Sequence, residues 1–122
     1  MDSVILNLIK LQLQLRILHW QTDSYAQHKA FGKTYEDLDG LIDTLVEIHQ
    51  GKHGKIIYPS PSSVELVNAD SISIMDILQE VTDYLSTVFP QQVDQVKDTD
   101  CLNARDEILA VLNRLKYLLT LK

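Results

Sequence analysis

The chain has 122 residues, one domain's worth, enough to bury a core without disulfides or a structural metal. Its formal net charge is -6 and it has no Lys/Arg run, which disfavours DNA binding through the phosphate backbone. No apolar run reaches membrane-spanning length, so a soluble protein without a signal peptide is expected. The one cysteine, Cys101, allows no intrachain disulfide and agrees with a cytoplasmic setting.

The first segment with helical period runs from about Ser3 to Thr22. At about 100° per residue, Val4, Leu8, Leu11, Leu15 and Leu18 form one apolar stripe, fit for a bundle core. Ile5, Ile9, Leu13, Ile17 and Trp20 form a second stripe roughly opposite. Polar residues separate the two: Asn7, Lys10, Gln14 and Gln21 on one flank, Gln12, Arg16 and His19 on the other. A surface helix needs one apolar stripe, so the second must be covered by the later connection or by another subunit. Its length favours another subunit, and hence self-association.

A second helix is predicted from about Ser24 to Gln50, ending at Gly51. The stretch Gly51–Ala69 collects glycines, prolines and serines and reads as a long connection with a short β-like piece at Lys55–Tyr58. A third helix follows Asp70, a good N-cap, and stops before Pro90. The fourth begins near Asp100 and runs to the C-terminus. The expected fold is all-α, a single domain over residues 1–122. It is an antiparallel four-helix bundle of the ferritin-like kind, with a long crossover between helices 2 and 3.

Ligand-type residues concentrate in one region: His19, His28, Glu36, Asp37, Asp39, Asp43 and Glu47. Asp39, Asp43 and Glu47 follow i, i+4, i+8 spacing and share a flank of the second helix. A hairpin turn near Thr22–Ser24 brings His28 back toward His19. Imidazole with carboxylate suits iron, manganese or zinc. His28 and Asp43, however, lie 15 residues apart, about 22 Å of helix rise. A site using all four of His19, His28, Asp43 and Glu47 must therefore join two chains across a two-fold axis. Glu36, Asp37 and Asp39 read more simply as a solvated face. His49 and His53 flank a glycine turn and are expected to meet solvent or the helix C-terminus. Trp20 and Tyr35 read as core aromatics.

The pattern Leu18-His19-Trp20, His28-Lys29-Ala30-Phe31, Tyr35-Glu36-Asp37-Leu38, Asp43 and Glu47 resembles the signature of the Dps family, the miniferritins. Gly32 occupies the position where that family carries an acidic ligand, and the interval from His19 to His28 is shorter than usual there. The resemblance implies an iron site of ferroxidase type, with His19 and His28 of one subunit meeting Asp43 and Glu47 of another. It also implies a two-fold dimer, in the family the unit of a larger cage. The expected function is Fe(II) oxidation, with storage or oxidative protection as its purpose. The alternative is a ferritin-like assembly protein with a degraded metal site.

Overall fold

The computed structural model describes residues 1–121 and holds four α-helices. They are α1 (Asp2–Gln21), α2 (Tyr25–His53), α3 (Ile74–Thr87) and α4 (Thr99–Leu118). Single 3-10 turns at Ala69–Ser71 and Phe89–Gln92 precede α3 and follow it. Among the described residues there is no strand, so the β-like piece expected at Lys55–Tyr58 is extended chain without a pairing partner. No helix among the described residues is long and apolar enough to cross a membrane.

Local chemistry sets most boundaries. Ser24 caps α2 by accepting a hydrogen bond from the Gln27 N–H at 3.2 Å. Thr22 completes the turn, its hydroxyl donating to Gln27 Oε1 and accepting from the Ser24 N–H. The α3 cap is Ser73, which accepts from the Asp76 N–H, rather than the expected Asp70. Asp70 instead lies in the preceding 3-10 turn. Gly51 does not end α2. The helix continues to His53 and stops at Gly54, whose φ of 81° suits a residue without a side chain. An interior glycine costs about 1 kcal/mol. Here the next turn is held from outside: Lys52 and His53 both bind Asp98 at the start of α4.

The core forms where α2 packs against α1 on one side and α4 on the other, with α3 resting on α4. Leu8, Leu11, Leu15 and Leu18 of α1 meet Phe31, Leu38, Ile42 and Leu45 of α2, with Leu78, Leu85, Ile108, Leu112 and Leu115 completing the cluster.

The second stripe of α1 divides. Ile5 is buried and Ile9 packs against the core. Leu13 and Ile17 are half-buried but lie outside the core cluster. Trp20 is 67% exposed, which corrects its reading as a core aromatic: at the last turn of α1 nothing lies above the indole. The crossover meets the first half of this stripe at Tyr58, which lines a hollow with Ile5 and Ile9, and farther along it lies on the Gln14 flank. Gln14, only 3% exposed, donates to the Val67 carbonyl at 2.8 Å and accepts from the Val67 N–H at 3.0 Å. One turn pair later Gln21 donates to Asn68 Oδ1 and accepts from the Ala69 N–H. A glutamine amide thus pairs with one backbone residue as a neighbouring strand would. Gln14→Ala should cost about 1–2 kcal/mol, two hydrogen bonds of about 1 kcal/mol each less what water restores. It should also speed proteolytic cutting between residues 54 and 73. Unchanged cleavage with unchanged denaturant midpoint would show that the strap needs no clamp.

Candidate metal centre

The α1/α2 turn brings His19 and His28 together. Their rings stack with centroids 3.8 Å apart and planes 16° from parallel. Each ring bonds the other's backbone: His19 Nδ1 to the His28 carbonyl at 2.6 Å, His28 Nδ1 to the His19 carbonyl at 2.8 Å. A carbonyl oxygen only accepts, so both Nδ1 atoms must carry the proton. In its neutral form each ring therefore keeps the Nε2 lone pair free. Fixing a tautomer through Nδ1–H to a carbonyl is the usual preparation of a metal-binding histidine.

Gly32 makes this arrangement possible. A Cβ there would lie 2.9 Å from His19 Cε1 and 3.0 Å from His19 Nδ1. The glycine that replaces an acidic residue of the resembled pattern is the notch that seats the His19 ring. Tyr35 meets His19 edge-on at 5.4 Å, and the Arg16 guanidinium lies 4.7 Å over the Tyr35 ring. His19, His28, Lys29, Gly32, Lys33 and Glu36 line an open cleft of about 300 Å³. Glu36 is exposed, as a residue of a solvated face should be, and it also lines this open cleft. Its spacing of eight residues from His28, through Gly32, was the available signal.

Asp43 and Glu47 are exposed and line a separate hollow of about 420 Å³ with Ile5, Ile9, Gln12, Asp39 and Tyr58. Burial pushes the Tyr58 phenol up, and Asp2 adds to it. Because α2 is continuous from His28 through Glu47, the imidazoles and these carboxylates stay about 22 Å apart or more in one chain. Gln12 divides the two hollows, donating to the Tyr35 carbonyl and to Asp39 Oδ1, both at 3.1 Å. Asp37 is held by Lys33 at 2.9 Å.

A second cluster lies where α2 ends against α4. Asp98 is 3% exposed and accepts from the Asp94 N–H, Lys52 Nζ and His53 Nε2. These bonds, the backbone N–H first and His53 next, hold its carboxyl down at about 2. Asp98, Asp100 and Cys101 offer ligand atoms within 4.8 Å of one another. Lys52 already serves that carboxylate pair as its cation, at 3.3 Å from Asp98 and 2.8 Å from Asp100. His53 belongs to this clamp and, at the last residue of α2 and 46% exposed, also meets solvent as expected.

His49 lies tilted against His53 with centroids 4.8 Å apart. Burial and then the neighbouring His53 charge lower its pKa, with the chain's N-terminal amine adding to this and Asp98 opposing it. The unfolded chain therefore takes up a proton at His49 more readily than the folded one, so stability falls as pH drops below about 6.5. Asp94, Asp98 and Asp100 are depressed carboxyls whose contribution is complete above about 3.8 and lost as pH falls toward 2. Melting curves in chelator should thus show two acid-side declines, and His49→Gln should remove the upper one. A wild-type melting temperature flat between pH 7 and 5 would contradict this.

A helical fold with a prepared imidazole pair defines the molecule so far. The chain belongs to DUF5856, a family of unknown function whose model matches residues 19–119. The match takes in all four histidines, Asp43 and Glu47. The chain is also similar to the "Uncharacterized 14.6 kDa protein in mobD-ri intergenic region" of Enterobacteria phage T4. The two are 27% identical over 115 residues, covering 94% of this chain and 84% of the relative. No solved structure matches the chain.

Proposed function

We propose that this protein is a divergent relative of the Dps miniferritins: an antiparallel, ferritin-like bundle that binds Fe(II) as substrate at a site shared by two subunits and oxidises it. The observation that carries the reading is the His19–His28 pair, with both Nδ1 protons spent on backbone carbonyls and both Nε2 atoms free. Gly32 clears the space for that pair, and a bundle core has no packing need for it.

The outer face of the α1/α2 hairpin favours a second copy as partner. One end presents His19, His28, Lys29 and Lys33, and the other presents Asp39, Asp43 and Glu47. A two-fold axis across the hairpin pairs the nitrogen end of each chain with the carboxylate end of the other, twice. Leu13, Ile17 and Trp20 supply apolar area beside that seam. In the dimer Asp43 and Glu47 hold the cation and accept its rising charge, while the imidazoles complete an open coordination sphere, with manganese or zinc as competitors. Each Fe(II) gives up one electron. Two of them reduce one hydrogen peroxide across its O–O bond, and two protons carry it to two waters; dioxygen is the other oxidant of this class. Association into a cage, with storage of the oxidised iron, extends the same reading.

The cleft also carries the cations Lys29 and Lys33, which oppose a metal ion and favour the second reading, a ferritin-like scaffold kept for assembly. Subunit mixing separates the two. His19→Ala/His28→Ala and Asp43→Ala/Glu47→Ala chains should each fail to oxidise Fe(II) after anaerobic loading and exposure to air or peroxide. Unfolded together and refolded at equal amounts, they should recover about a quarter of wild-type activity, since half the dimers are mixed and each has one intact site of two. No saturable Fe(II) binding by an intact wild-type oligomer would leave the scaffold reading.

A further inference from the structure

At the opposite end of α2 from the hairpin cleft, His49 and His53 share one face of the helix at i, i+4 spacing. Their rings lie 4.8 Å apart and inclined by 42°, close enough for both to reach one ion. His53 Nε2 is bonded to Asp98 Oδ1 at 3.0 Å, and a neutral ring there donates its Nε2 proton to the carboxylate. The lone pair of the ring then resides on Nδ1. A buried carboxylate behind a histidine is the arrangement that orients metal-binding imidazoles and strengthens them as ligands. His49 Nδ1 is shut off from solvent and has no hydrogen-bond partner, unlike every other buried side-chain nitrogen or oxygen among the described residues. A buried polar atom without a partner costs about 1–3 kcal/mol and calls for an explanation, of which an ion is one.

We propose that His49 and His53 bind one divalent ion of the zinc and copper group, with Asp98 as the positioning residue behind His53. The ion supplies His49 with the partner it lacks, and imidazole nitrogens suit this group of metals. Lys52 occupies the oxygen side of Asp98 and Asp100, so the ion belongs on the imidazole side of the cluster. Water reaches the ion from the half-exposed His53 side, which makes this an exchangeable site rather than a closed structural one. The site is independent of the hairpin cleft and does not need a second chain.

The experiment uses the full chain with His19→Ala/His28→Ala already in place, so that zinc at the hairpin cannot contribute. Zn(II) is titrated in competition with a chromogenic chelator, and Cu(II) in parallel. The expected result is one ion per chain, lost on adding His53→Gln, with circular dichroism unchanged because that side chain is 46% exposed. His49→Gln should act the same way. Asp98→Asn should weaken binding by about 10- to 100-fold while leaving the stoichiometry at one. Absence of binding in the hairpin-cleared chain, or full binding in the folded His53→Gln variant, would overturn the proposal.

Discussion

Gly32→Ala should weaken metal binding at the hairpin cleft tenfold or more, yet shift the melting temperature by only a few degrees. The new methyl would stand 2.9 Å from His19 Cε1, inside any normal contact, so the ring must swing away. His19 then loses its stack on His28 and its hydrogen bond to the His28 carbonyl. That bond is worth about 1 kcal/mol to the fold. Alanine in a helix interior returns about the same amount relative to glycine, so the two effects nearly cancel in stability. They do not cancel at the site, where ligands must be held within a fraction of an ångström. Zinc or Fe(II) titration beside a thermal melt measures both quantities. Nitrogen NMR of the imidazoles gives a readout free of any metal, since the locked Nδ1–H tautomer of His19 should disappear. A folded Gly32→Ala protein with that tautomer and its affinity intact would sink the notch argument.

The two faces of α1 should answer substitution in opposite ways. Leu15 is fully buried in the core stripe. Leu15→Ala should cost about 3–4 kcal/mol, the usual sum of lost transfer energy and residual cavity. Against a total of about 5–15 kcal/mol, that lowers the melting temperature by roughly 10–20 °C. Leu13 lies on the other face, half-buried and outside the core cluster. Leu13→Asp should change the stability of the isolated subunit by no more than about 1 kcal/mol. Placed in the proposed two-fold interface, however, it buries a charge with no partner and should convert the oligomer to monomer in sedimentation equilibrium. A Leu13→Asp chain with the wild-type mass would remove this face from consideration as an interface, whatever the result at Leu15.

Much of the architecture could be read from local pattern. The core stripe Leu8, Leu11, Leu15 and Leu18 obeys helical period, and each of its residues is buried. The four helices fall near their expected bounds because Ser24, Gly54 and Pro90 act on the few residues beside them. Where the reading of boundaries failed, the deciding contact came from far along the chain. Gly51 is a reasonable helix end until Lys52 and His53 are seen to hold Asp98, some 45 residues away. Asp70 is a reasonable cap until the chain turns once more and Ser73 takes the role.

The candidate site divides along the same line. Residue types and spacing gathered His19, His28, Glu36, Asp37, Asp39, Asp43 and Glu47, the resemblance to the Dps pattern picked His19, His28, Asp43 and Glu47 from them, and helix rise separated the histidines from the last two carboxylates within one chain. Only the tertiary structure revealed the reciprocal Nδ1 bonds, the purpose of Gly32 and the presence of Glu36 in the imidazole cleft. It also drew His49, His53 and Asp98 into one cluster, and it set the crossover against Ile5 and Ile9 at Tyr58 and on the Gln14 flank at Val67. The physical reason is common to all of these. Periodicity reports which way a side chain faces on its own helix, whereas a ring's tautomer, a notch beneath it or a strap across it depends on partners that the fold brings from elsewhere.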